Sequence, residues 1–206
     1  MDRRTFPRKD SAHAAVASNV LARQAQRSGK TITLPVPIEL IIEQTYDIEI
    51  LWDELDEPAG TTILGALSPA NRRIVMNTRH EAMFGRWIGP ERFTLAHELA
   101  HWIYDADDPA QGTLDLDVAP ETYCYWRDAP HLADTLRIRE INANKLAAHL
   151  LLPDDLVRAA DIDEIKVNLA RTATQWQVSR QMLRIKLENL GLIDDGDRDQ
   201  LLLPRR

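Results

Sequence analysis

The sequence predicts an α+β fold, on three observations. Helical patterns occupy both ends of the chain, three short β-like runs cluster between residues 48 and 78, and a strongly apolar helix follows them. With 206 residues, the chain has room for one domain or a domain plus a small appendage. Apolar residues make up 44% and charged residues 28%, the balance of an ordinary soluble protein. No run approaches the roughly 18 consecutive apolar residues of a membrane span. Cys124 is the single cysteine, which excludes an internal disulfide and a cysteine zinc cluster. A cytoplasmic protein is therefore expected.

The net charge of −7 is unevenly spread. Residues 1–30 carry seven basic groups against Asp2 and Asp10, which leaves −12 for the other 176 residues. The basic start lacks a continuous apolar core, so a surface helix is expected there rather than a targeting peptide. An acidic body argues against nucleic-acid binding by charge alone.

Each element follows from local chemistry. Residues 12–28 read as a helix that Gly29 stops, and LPVPIELIIEQTY at 34–46 as a second, with Pro37 near its first turn. The β-like runs are IEILWD (48–53), TTILGALS (61–68) and RIVMNT (73–78), separated by turn chemistry at Glu57-Pro58-Ala59-Gly60 and Ser68-Pro69-Ala70-Asn71. The last two runs suggest a hairpin, so a small antiparallel sheet of three strands is expected. Gly89-Pro90-Glu91 then opens a helix running to about Tyr104. A long loop rich in Asp, Pro and Gly spans 105–133, and a long helical pattern from Ala133 to Leu152 ends at Pro153. The last third is helical again and finishes in a short tail, LLLPRR.

The chemistry concentrates in His97-Glu98-Leu99-Ala100-His101. Residues four apart share a helix face, so His97 and His101 can direct two imidazoles at one ion. Glu98 is offset by roughly 100° around the helix, where it is suited to take a proton from a water rather than to ligate. Phe93, Leu95, Leu99, Ala100, Trp102 and Ile103 make this a largely buried helix, where unpaired polar groups are costly. A third ligand is needed. The candidate is Glu140 in RIREINANKLAAHLLLP (137–153), with Asn144 one turn on, placed to hydrogen-bond a ligating imidazole.

RFTLAHELAHW, followed some forty residues later by E-x-x-A-N-K-L-A-A-x-L-L-L-P, resembles the ImmA/IrrE family of bacterial metallopeptidases. GALSPANRRIVMN and Tyr123-Cys124 share the likeness, which covers roughly residues 35–193. It implies a zincin-like, gluzincin-type endopeptidase. By position, His97, His101 and Glu140 match its metal ligands, Glu98 its catalytic glutamate, and Asn144 its Asn/Asp. Asn142 stands where many members have Glu or Gln, and Ala100 where many have Gly. The implied metal is Zn2+, with Mn2+ also compatible with His/His/Glu donors. The implied partner is a protein substrate, a repressor of the helix-turn-helix class.

The expected organisation is a basic helical extension (1–33), a zincin-like core (34–153) and a C-terminal helical region with a tail (154–206). The core combines the antiparallel sheet, the HExxH helix and the ligand helix. Strand 73–78 is expected to offer an edge to an extended substrate. Asp105 continues the face of His97 and His101 and is a further candidate to support a ligand. Tyr104, Tyr123, Tyr125 and His131 are candidate donors to an oxyanion. His149 reads as a surface histidine, and no local pattern makes Cys124 a nucleophile.

Residues 172–192 suggest a helix-turn-helix-like element: Ala173, Val178, Leu183 and Leu187 take packing positions, and Ser179 caps the second helix. Arg180, Arg184 and Lys186 would then face phosphates, but Glu188 and Asp194-Asp195 weaken that surface. Packing or partner docking is the preferred role. Two alternatives to an enzyme stand beside it: a non-catalytic partner-binding or toxin–antitoxin-type component on a zincin frame, and a DNA-binding regulator acting through 172–192.

Overall fold

The computed structural model describes residues 8–106 and 134–193. Helix α1 (Asp10–Ser28) ends where Gly29 adopts φ 67° and returns its N–H to Ala25 O. Its buried residues Ala17, Val20 and Leu21 join the core. The second expected helix is much shorter than its pattern. Only α2 (Ile38–Leu40) is α-helical, and it passes into a π-helical turn, Ile41–Thr45, closed by Tyr46 N–H onto Ile41 O. The wider turn lets Ile38, Ile41 and Ile42 all reach full burial.

The sheet holds β1 (Glu49–Asp53), β2 (Gly65–Ser68) and β3 (Arg73–Asn77) in the order β1-β3-β2. It is mixed, which corrects the expected antiparallel arrangement. Strands β2 and β3 form the anticipated hairpin, but β1 runs parallel to β3, from Glu49 beside Arg73 to Asp53 beside Asn77. The cause lies in residues 54–64, which cross over the C-terminal end of β3. They bring β2 down on its far side instead of turning straight back. The buried Asn77 side chain holds both limbs of that crossing, accepting from Leu55 N–H and donating to Ile63 O at 2.7 Å. Glu57 accepts from Ile63 N–H at 2.7 Å and from His80 at 2.6 Å. A consequence is that β3 is central and paired on both sides. The strand expected to offer an edge has none, and among the described residues the edges are β1 and β2.

A short 3-10 turn and α3 (Glu81–Arg86) lead into α4 (Ile88–Ala106), and α5 (Asp134–Leu151) lies against it. Leu95, Leu99 and Ala100 of α4 and Ala143, Leu146, Ala147 and Leu150 of α5 are all at most 2% exposed. Each such leucine contributes about 1.5–3 kcal/mol relative to an exposed position. Strand β2 approaches α4 closely because Gly65 has no side chain: a Cβ there would sit 2.7 Å from Thr94 Cγ2. Arg92, 4% exposed, donates to both Glu39 oxygens and to Val36 O, tying α4 to α2.

The C-terminal region is split into α6 (Asp154–Arg158), α7 (Ile162–Val167), α8 (Leu169–Gln175) and α9 (Arg180–Asn189). Ser179 caps α9 as expected, accepting from Met182 N–H at 3.0 Å. The α8–α9 turn rests on the start of α4, where a Cβ on Gly89 would stand 3.0 Å from Ser179 N. Among the described residues, no helix is long and apolar enough to cross a membrane. Residues 107–133, which include Tyr123, Cys124, Tyr125 and His131 and fall in the loop expected at 105–133, lie outside the described residues, as does the expected C-terminal tail.

Candidate metal centre

The i, i+4 spacing on α4 brings His97 and His101 together in the protein interior, at 4% and 2% exposure. Their Nε2 atoms are 3.0 Å apart. From α5, Glu140 places Oε2 3.2 Å from His97 Nε2 and Oε1 3.2 Å from His101 Nε2. One ligand atom from each of the three residues falls within 4.8 Å of the others. Two donors bound tetrahedrally to zinc at about 2.0–2.1 Å stand roughly 3.3 Å apart, so the observed spacings fit such an ion.

The hydrogen bonds around the cluster favour the same reading. His97 Nδ1–H donates to Asn144 Oδ1 at 2.9 Å, which turns Nε2 toward His101 and Glu140. Two ring nitrogens and a carboxylate converging in one place form a donor set suited to a cation. Burial would raise the Glu140 carboxyl, but hydrogen bonds from His101 and His97 outweigh it and hold the group down at about 2. Burial takes the His101 ring down to about 4, the neutral form a ligand needs. At His97 burial also acts downward, yet the Glu140 hydrogen bond and the nearby carboxylates prevail and raise it. The residues present fit a divalent metal.

Glu98 points elsewhere, as its offset on the helix requires. It is fully buried, and neither carboxylate oxygen has a hydrogen-bond partner among the described residues. Burial pushes its carboxyl up to about 8; Glu140 adds to this, while His97 and the Leu67 backbone on β2 pull it partly back. A buried, unsatisfied carboxylate with a raised pKa is poised to exchange a proton with whatever enters the site.

The structure thus brings together His97, Glu98, His101, Glu140 and Asn144. Asp105 lies near the end of α4, but its side chain is outside the described residues. Tyr104 is engaged away from the centre: its hydroxyl is hydrogen-bonded to His13 Nδ1, and Arg8 stacks on its ring at 4.2 Å. His149, expected at the surface, is 4% exposed. Its Nδ1 lies 2.9 Å from Lys186 Nζ, its Nε2 lies 3.3 Å from Asp10, and Lys186 also donates to Asp154. The reason is that α1 and α9 both cover this part of α5: the His13 ring stacks on His149 at 6.5 Å, and Lys186 reaches it from α9. Lys186 follows Leu183 by three residues and precedes Leu187, so it shares their buried face, and this spacing was the available signal.

The family model of the IrrE N-terminal-like domain, Peptidase_M78, matches residues 65–188. No curated protein matches the chain. The matched span starts at β2, contains the three candidate ligands and Glu98, and ends within α9. On that match, which spans more than half of its residues, the chain belongs to the ImmA/IrrE (M78) family of metallopeptidases.

Proposed function

We propose that the protein is a zinc-dependent endopeptidase, with His97, His101 and Glu140 as ligands and Glu98 as general base. The observation that carries this reading is the pairing of three convergent donors, two buried and one partly buried, with a buried carboxylate that has no hydrogen-bond partner among the described residues. When bound, zinc supplies a water of pKa about 7 and polarises a carbonyl oxygen; manganese suits the same donors. Glu98 takes the proton of the attacking water on a carboxylate oxygen and delivers it to the nitrogen of the leaving amine. Asn144 keeps His97 in the Nδ1–H tautomer. The free edge of β2 runs alongside α4 and offers backbone groups to an extended segment of substrate.

The proposed substrate is a cytoplasmic repressor of the helix-turn-helix class, a clause supported by the family resemblance. The test is co-expression with such regulators from the same host, comparing wild type with Glu98→Gln. The reading predicts equal zinc in the two proteins and a repressor fragment with wild type only. Equal fragments from both, or none from either at full zinc occupancy, would contradict it.

A further inference from the structure

A cavity of about 790 Å³ opens one helical turn from Glu98, between the start of α4, α5 and α9. Its walls are largely apolar. Leu64 immediately precedes β2, Phe93 lies on α4, Ala148 on α5, and Met182 and Ile185 on α9. Ile185 stands at its rim, 39% exposed. At the far end the wall turns polar with His149 and Lys186, whose charge Asp154 already answers.

Two contacts fix how this cavity relates to the reaction centre. Gly65 lies against Thr94, one turn before Glu98 on α4, and β2 packs along that helix, so Leu64 sits beside the approach to the base. Asn144 is the second link: it lines the cavity and also holds His97. A strand added to the free edge of β2 with its scissile bond at Glu98 passes the cavity mouth within one or two residues. Alternate side chains of a strand lie on one face, about 7 Å apart.

We infer, resting on the peptidase reading above, that this cavity is the specificity pocket for a large aliphatic or aromatic substrate side chain next to the scissile bond. Its volume exceeds one side chain and leaves room for a second apolar residue two positions on. The α8–α9 pair thereby becomes part of the substrate site. Gly89, pressed against Ser179, holds α9 at the distance that makes it a wall.

The chain has four methionines, and three are well placed as reporters. Met83 and Met182 line the cavity, while Met76 is fully buried in β3. The experiment uses full-length, zinc-loaded Glu98→Gln protein with 13C-methyl-labelled methionine, titrated with acetohydroxamate and with a phenylalanine-derived hydroxamate. The inference predicts binding of the aromatic probe at least about tenfold tighter than acetohydroxamate. Met83 and Met182 resonances should move while Met76 stays, and Ala148→Trp should reduce the aromatic advantage with the Met76 resonance still native. Equal affinity for both probes with Met83 and Met182 unmoved would overturn the pocket and leave the peptidase reading intact. Failure of acetohydroxamate to bind zinc-loaded protein would overturn both.

Discussion

Asn144 Oδ1 lies 2.9 Å from His97 Nδ1, one turn along α5 from Glu140. One helix therefore supplies both a candidate ligand and the group that orients another. The i, i+4 spacing that pairs the histidines on α4 is repeated on α5 by Glu140 and Asn144. The two helices meet through their most buried faces.

Removing that orienting bond should loosen the metal without removing a donor. Asn144→Ala is expected to weaken zinc affinity about 10–100-fold, and Asn144→Asp to retain most of it, since a carboxylate accepts the same Nδ1–H. Competition against a chromogenic chelator measures this. Unchanged affinity in Asn144→Ala would show that the ring is held by packing alone.

Stability should depend on His13 in weakly acidic solution. Burial first, then nearby Lys145 and His149, bring its ring down to about 4, with Asp10 opposing. A histidine lowered in the folded state takes up its proton first in the unfolded chain. Stability is therefore lost as pH falls from about 6.5 to about 4, and the loss levels off below. Its size is expected to reach about 2 kcal/mol. Urea unfolding of wild type and His13→Gln across that range should show a flatter profile for the variant. Parallel profiles would contradict the assignment.

These groups show where the sequence could be read and where it could not. His97, Glu98 and His101 were legible because four residues on a helix fix a geometry with no help from the rest of the fold. Glu140 and Asn144 were legible for the same reason once a third ligand was sought. The β2–β3 hairpin followed from the short turn at residues 69–72. The parallel pairing of β1 did not, because it depends on the crossing at 54–64 and on Asn77 beneath it, whose partners lie up to 22 residues away. The Ile-rich stretch at 38–42 hid a π turn, since the same apolar run suits either helix. The burial of His149 is not legible locally, because its cover comes from α1, well over a hundred residues earlier, and from α9, almost forty residues on.

The buried ion pair beneath the cavity yields another test. The Lys186 side chain is 6% exposed and that of Asp154 is 30% exposed. Taking away one partner leaves a charge without its counterion. Lys186→Ala is expected to cost about 2–3 kcal/mol, less than a wholly buried pair because Asp154 keeps some water. The double change Lys186→Met with Asp154→Leu should recover much of it. Chemical denaturation at neutral pH decides; a double variant no better than the single would sink the argument.

The α8–α9 pair is expected to make no phosphate contacts. Lys186 is buried on Asp154, and Arg184 donates to Glu188 within the same helix. That leaves a surface too poor in cations for counterion release to drive binding. Duplex DNA should show no affinity that falls steeply between about 50 and about 200 mM salt. A steep salt slope, lost in Arg180→Ala with Arg184→Ala, would restore the regulator.

The central claim is that His97, His101 and Glu140 hold one metal ion while Glu98 does not. Elemental analysis of purified wild type beside His97→Ala, Glu140→Ala and Glu98→Gln tests it directly. The account predicts about one zinc per chain in wild type and Glu98→Gln, and loss of zinc in the other two. Wild type that takes up no metal even from added zinc would contradict it.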